Sequence, residues 1–198
     1  MPEAERARSA ELSVEGVTKR FGEVLALDGV SLAVAEGDAV MPVLNDWVTA
    51  AQRAGVPIFV SRDWHPARTT HITDYGGVWP PHCVMDTHGA KFHPDLRLTV
   101  DTVVVSKGMG ETEDAYSAFA ARDDSNILLD ALLKARNVNH LYIAGLATDY
   151  CVKNSALDAL NRDFGVTLVP EGMRAVNLQP TDGEQALAEM RARGAHLA

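Results

Sequence analysis

The stretch 141-LYIAGLATDYCVK-153 decides how this chain folds. An apolar, β-capable run, Leu141, Tyr142, Ile143 and Ala144, stops at Gly145 and crosses a short turn. It enters a helical pattern through Thr148, Asp149, Tyr150 and Cys151, continued by Val152, Ala156, Ala159 and Leu160. That order is a strand, a tight turn and a helix start. Cys151 then falls in the first helical turn, where unpaired backbone N–H groups and the helix dipole favour an anion and draw a thiol's pKa toward neutrality. A thiolate nucleophile is one reading of the position, and a small buried apolar residue is the other.

The pattern repeats on both sides. Asp38 can cap a helix whose apolar positions Val40, Val43, Leu44, Trp47, Val48 and Ala51 recur at i, i+3, i+4, with Pro42 tolerated near its start and Gly55 at its end. Strands are expected at 56–60, 102–105, 141–144 and 166–169, and helices at 127–136 and from the Cys151 turn to about 164. Thr181 and Glu184 form a capping-box pattern for a last helix that Gly194 can close. Alternating strands and helices argue for an α/β protein, a three-layer α/β/α sandwich with a mostly parallel central sheet. The segment 63–99 breaks the rhythm, and long irregular loops in compact domains are usually functional.

Composition narrows the function class. The chain has 198 residues, 46% hydrophobic and 23% charged, which suits one globular domain. No apolar run reaches the roughly 18 residues of a membrane helix, so no membrane partner is expected. The charged start MPEAERARSAELS lacks the apolar core of a secretion signal, and a cytoplasmic location is expected. Two cysteines, Cys83 and Cys151, make no disulfide framework in a chain of this size. A net charge of −9 disfavours nucleic acid, leaving a small-molecule substrate as the expected partner; self-association is left open.

The long loop carries the polar chemistry. In Ser61-Arg62-Asp63-Trp64-His65, Asp63 and His65 emerge at the carboxyl end of a strand, where open α/β sheets hold ligands, and their spacing points them to one side. His71 and His82 come from the same loop. A carboxylate and up to three imidazoles suit Zn²⁺, Fe²⁺ or Mn²⁺, and the donor mixture does not choose among them. Trp79 beside His82 offers a plane on which a flat ring can stack, or plain core packing. Lys107 ends the strand Val103-Val104-Val105-Ser106, where a solvated edge charge is the ordinary reading. His88, His93, His140 and His196 read as loop or surface histidines.

Six motifs, SRDWHP (61–66), GGVWPPHCV (76–84), GAKFHPDL (89–96), VSKGMG (105–110), DAYSAF (114–119) and GLATDYCVKNSALDA (145–159), together resemble the nicotinamidase branch of the cysteine hydrolases related to isochorismatase. The resemblance runs from about residue 31 to 169. It implies the isochorismatase-like hydrolase fold, Cys151 as nucleophile and Lys107 as its catalytic partner. It also implies one divalent metal, zinc first, on Asp63, His65 and His82 with His71 as an additional ligand. Trp79 would stack on a pyridine ring, Tyr116 would lie near the substrate, and the backbone at Ala147 and Cys151 would bind an oxyanion, with a cis bond before Ala147. The implied reaction is hydrolysis of nicotinamide to nicotinate and ammonia in NAD salvage.

Residues 1–30 depart from that pattern, and the hydrolase domain is expected over 31–198. The run LSVEGVTKRFGEVLALDGVSLAV (12–34) resembles the opening strands of an ABC-transporter ATPase, yet no G-x-x-x-x-G-K-[ST] follows to hold phosphates. Relatives place the general base, an aspartate, at the end of a central strand here. Ungapped, its place falls on Phe21; gapped, the run 24–27 ends at Asp28, a tentative base that reads equally as an Asp-Gly turn, with Glu23 weaker still. A pocket that binds metal and ligand without turnover is therefore the rival expectation, followed by an amidase for another small amide.

Overall fold

The computed structural model describes residues 12–21, 24–113 and 116–198, with the backbone alone for the described residues before 34. Two parallel sheets form its frame. Strand β3 (Phe59–Asp63) pairs with β4 (Val103–Lys107), and β5 (His140–Leu146) pairs with β6 (Gly165–Arg174), which in turn carries β7 (His196–Leu197). Strand β3 begins three residues later than the periodicity suggests, because Pro57 has no N–H to give a ladder; pairing opens with the Val103 amide donating to the Ile58 carbonyl.

Helices cover both faces. Val166 and Leu168 of β6 join Leu129, Leu132 and Leu133 of α2 (Leu129–Lys134), Ala156 and Ala159 of α3 (Lys153–Leu160), and Met190 of α4 (Asp182–Ala192) in one core. Residues of alternate parity on a strand face opposite ways. On the other face lies α1 (Met41–Ala54), whose Trp47 meets Tyr142 of β5 and whose Val43 and Leu44 approach Gly172 of β6. The result is the expected three-layer α/β sandwich.

Several local expectations change. A 3₁₀ turn at Gly37–Val40 contains Asp38, so α1 starts after Val40 with no side-chain cap, while Pro42 fits its first turn and Gly55 closes it at φ 65°. Thr181 is the N-cap residue of α4, but no side chain caps that terminus; its hydroxyl instead accepts from Gln185 Nε2 at 2.8 Å. Helix α2 is confined to six residues and α3 ends at Leu160.

The start of the chain departs furthest from expectation. Strands β1 (Leu12–Phe21) and β2 (Val24–Val34) form an antiparallel pair of their own. Strand β2 runs through Asp28 instead of ending there, and among the described residues it pairs with β1 and with none of the parallel strands. The side chains of Phe21, Glu23 and Asp28 lie outside the described residues.

Candidate active site and metal centre

The nucleophile turn follows β5. The Leu146–Ala147 bond is cis, as the resemblance implied. Thr148–Val152 then wind as a π-helical turn before α3 begins, so Cys151 sits in a widened turn and not in the first turn of an ordinary α-helix. Such turns recur at functional sites. The buried Asp149 carboxylate fastens the turn, accepting from the Val176 and Asn177 amides at 2.9 and 2.8 Å.

Strands β3 and β4 supply the charges. Their parallel register sets Asp63 against Lys107, and the Lys107 ammonium forms an ion pair with the Asp63 carboxylate. The same Nζ donates to Cys151 Sγ at 3.3 Å. Lys107 is buried, so its charge depends on these partners. Burial alone would lower its pKa, but the interactions with Cys151 and Asp63, charge and hydrogen bond together, outweigh it and hold the lysine above its ordinary value. For Cys151 the balance reverses what the helix-start argument suggests. Burial pushes the thiol up, and the Lys107 ammonium and the Ala147 backbone hydrogen bond offset only part of that rise. The thiol is therefore protonated at neutral pH in this arrangement. Cys83 is pushed up to about 12, mainly by burial, which suits an inert structural thiol.

The loop after β3 gathers three imidazoles. One ring nitrogen each of His65, His71 and His82 lies within 4.8 Å of the others. The rings of His65 and His71 stack at 4.5 Å between centroids. Two backbone carbonyls orient the set: His65 Nδ1 lies 3.0 Å from the Gly108 oxygen and His82 Nδ1 2.8 Å from the Pro80 oxygen. Donation from each Nδ1 leaves each Nε2 with a lone pair, the tautomer that a metal requires. His65 Nε2 is buried without a hydrogen-bond partner among the described residues, and burial lowers the pKa of this ring, keeping it neutral. An orphaned buried nitrogen beside two more imidazoles fits a divalent metal ion. Gly108 is required here: its φ is +67°, and a Cβ would lie 2.4 Å from His65 Cε1.

Trp79 is buried beside this cluster, 6.4 Å from the His82 ring and 6.5 Å from that of His71. Its Nε1 donates to the Tyr116 hydroxyl at 2.7 Å. Tyr150 meets the Trp79 ring edge to face at 4.9 Å and lies 5.8 Å from Tyr116. The expected residues thus lie close together. His65, His71 and His82 form a group that could hold an ion, and Asp63, two residues before His65, forms an ion pair with Lys107. Of the remaining histidines, His88 is exposed, His93 lies near Asp95 and His140 bonds Thr167 at 2.9 Å. Sequence reasoning missed Tyr150, Asp149 and the carbonyl of Gly108. Tyr150 stood one residue before the nucleophile, and that adjacency was the available signal.

A family profile described as the isochorismatase domain matches residues 20–198. The nicotinamidase of Escherichia coli is 37% identical over 187 residues, covering 85% of this chain and 87% of that protein. Among solved structures, the pyrazinamidase of Pyrococcus horikoshii in complex with zinc aligns with a TM-score of 0.75 at 36% identity, covering 82% of this chain and 86% of that one. PnC1 from L. infantum in complex with nicotinate aligns with a TM-score of 0.72 at 29% identity, covering 88% and 85%.

Proposed function

The chain belongs to the isochorismatase family, and from that premise we propose that it is a nicotinamidase, a metal-dependent cysteine amidohydrolase converting nicotinamide and water to nicotinate and ammonia in NAD salvage. The observation that carries this reading is the Lys107 ammonium 3.3 Å from Cys151 Sγ, beside three imidazoles and a buried indole.

His65, His71 and His82, with Asp63 beside them at the end of β3, would hold the divalent ion, zinc first with Fe²⁺ or Mn²⁺ as alternatives. When bound, the ion supplies a Lewis-acidic contact for a pyridine nitrogen. Trp79, fixed through Tyr116, offers its face to the ring. Cys151 attacks the carboxamide carbon, and the amides of Ala147 and Cys151 stabilise the oxyanion. The thiol proton ends on the leaving nitrogen, so the C–N bond breaks to give ammonia and a thioester. Water then cleaves the C–S bond, releasing nicotinate and restoring the thiol. Lys107 stabilises negative charge on sulfur through this cycle.

Ammonia release from nicotinamide by zinc-loaded protein tests the proposal. Turnover is expected, falling more than about 1,000-fold in Cys151→Ala. The separate β1–β2 pair favours the rival reading, an impaired enzyme; a folded, zinc-loaded protein with no turnover would establish that rival.

A further inference from the structure

We infer that Asp149 is a positioning residue for the oxyanion donors: its carboxylate bolts the nucleophile turn to the connection between β6 and α4, and this attachment governs the rate of attack. The inference rests on the proposed reaction and adds to it a residue that neither binds the ring nor forms the covalent bond.

The first ground is where the turn is held. Before it, Gly145 and Leu146 of β5 pair with Met173 and Arg174 at the end of β6. Within it, Asp149 accepts from the backbone amides of Val176 and Asn177 at 2.9 and 2.8 Å. Both anchors thus fall on one short segment, 173–177, and the donors at Ala147 and Cys151 lie next to them. The Ala147 carbonyl accepts from the amides of Tyr150 and Val152, both at 3.1 Å, so the turn moves as a unit. A shift of 173–177 carries the donors with it, and such donors lose their value once displaced by more than about 0.5 Å.

The second ground is the chemistry of the anchor. Asp149 is 7% exposed, and a buried carboxylate is tolerated only when its oxygens are hydrogen-bonded. Here each oxygen has its own amide, and bonds from an N–H to a carboxylate are stronger than those to a neutral acceptor. Asparagine at this position has one acceptor oxygen and turns its NH₂ group against the other amide.

The third ground is the rigidity of the far side. Asn177 adopts the left-handed conformation at φ 54°, and its side-chain oxygen accepts from the Gly183 amide, in the first turn of α4, at 2.8 Å. The Asp182 carboxylate accepts from the Gln179 amide at 2.8 Å. A Cβ on Gly183 would lie 2.6 Å from that of Ala175, so helix and connection touch at the level of the backbone. Asp149 is therefore fastened to a segment with its own internal bracing.

Pyridine-3-carboxaldehyde and 3-methylpyridine, titrated into zinc-loaded protein, test the inference without turnover. Both carry the same ring, so ring contacts cancel in the comparison. Only the aldehyde adds the thiol across its carbonyl, Sγ bonding to carbon and the thiol proton passing to oxygen, which then lies among the oxyanion donors. Asp149→Asn is expected to lose at least about tenfold in aldehyde affinity, with 3-methylpyridine affinity within about twofold. In nicotinamide turnover, kcat should fall at least about tenfold with KM within about twofold. Gly183→Ala displaces the connection from its far side and leaves Asp149 in place; it should lose aldehyde affinity selectively too. The double variant should bind the aldehyde no more weakly than Asp149→Asn alone. Equal losses for both ligands, unchanged aldehyde affinity, or additive losses in the double variant would overturn the assignment. Should Asp149→Asn fail to fold, Gly183→Ala decides the matter by the same comparison. An unaltered protein that forms no aldehyde adduct would overturn the proposed reaction and this inference with it, a result distinct from an adduct that the variants leave unchanged.

Discussion

Cys151 carries the argument at the scale of single residues, and its protonation state follows from competing effects that can be ranked. Burial raises the thiol, while Lys107 and the Ala147 backbone oppose it without prevailing. The sign of the pH dependence follows. A thiol raised in the folded state stays protonated through neutral pH, and its contribution to stability is lost as pH climbs from the ordinary thiol range of about 8.5 toward the folded value. Alkylation of metal-free protein by iodoacetamide, followed by mass spectrometry of the Cys151 peptide, should be slow at pH 7 and still rising above pH 9. A rate already at its plateau by pH 7 would mean that Lys107 prevails over burial and the resting group is a thiolate.

At the scale of elements, α2 shows how much a short helix can hold. Six residues long, it places Leu129, Leu132 and Leu133 in the same core cluster as Val166 and Leu168 of β6 and Met190 of α4. Leu133 is 1% exposed, and Leu133→Ala should cost about 2–5 kcal/mol in urea unfolding, through lost burial and an unfilled cavity; a cost below about 1 kcal/mol would show that the site collapses around the smaller side chain. The alternation of elements was legible in the sequence because β4 to β6 are apolar runs bounded by turn residues, and α1 repeats at helical spacing. So was most of the site, since Asp63, His65, His82, Trp79 and Lys107 lie at strand ends or in the one long loop. What was not legible depends on tertiary geometry. The π-helical turn at Thr148–Val152, the Gly108 carbonyl on His65 and the pairing of Asp63 with Lys107 come from packing between segments tens of residues apart. The placement of β2 was misjudged for another reason: a short apolar run ending in Asp-Gly has the same pattern in a hairpin and in a central strand.

For the molecule as a whole, three separate parts of the chain must meet before any chemistry is available. The β5–α3 turn brings the sulfur, the ends of β3 and β4 bring the charge pair, and the loop between those two strands brings the imidazoles and Trp79. Among the described residues no helix is long and apolar enough to cross a membrane. The central claim is that this assembly makes Cys151 form a covalent bond to the acyl carbon of nicotinamide. Acid quenching of the zinc-loaded protein during turnover, followed by peptide mass mapping, tests it most directly. A nicotinoyl adduct on Cys151, absent from Cys83 and from Cys151→Ala, is the predicted result. Turnover with no adduct at any early time in a variant slowed at thioester hydrolysis, or with the adduct on Cys83, would contradict it.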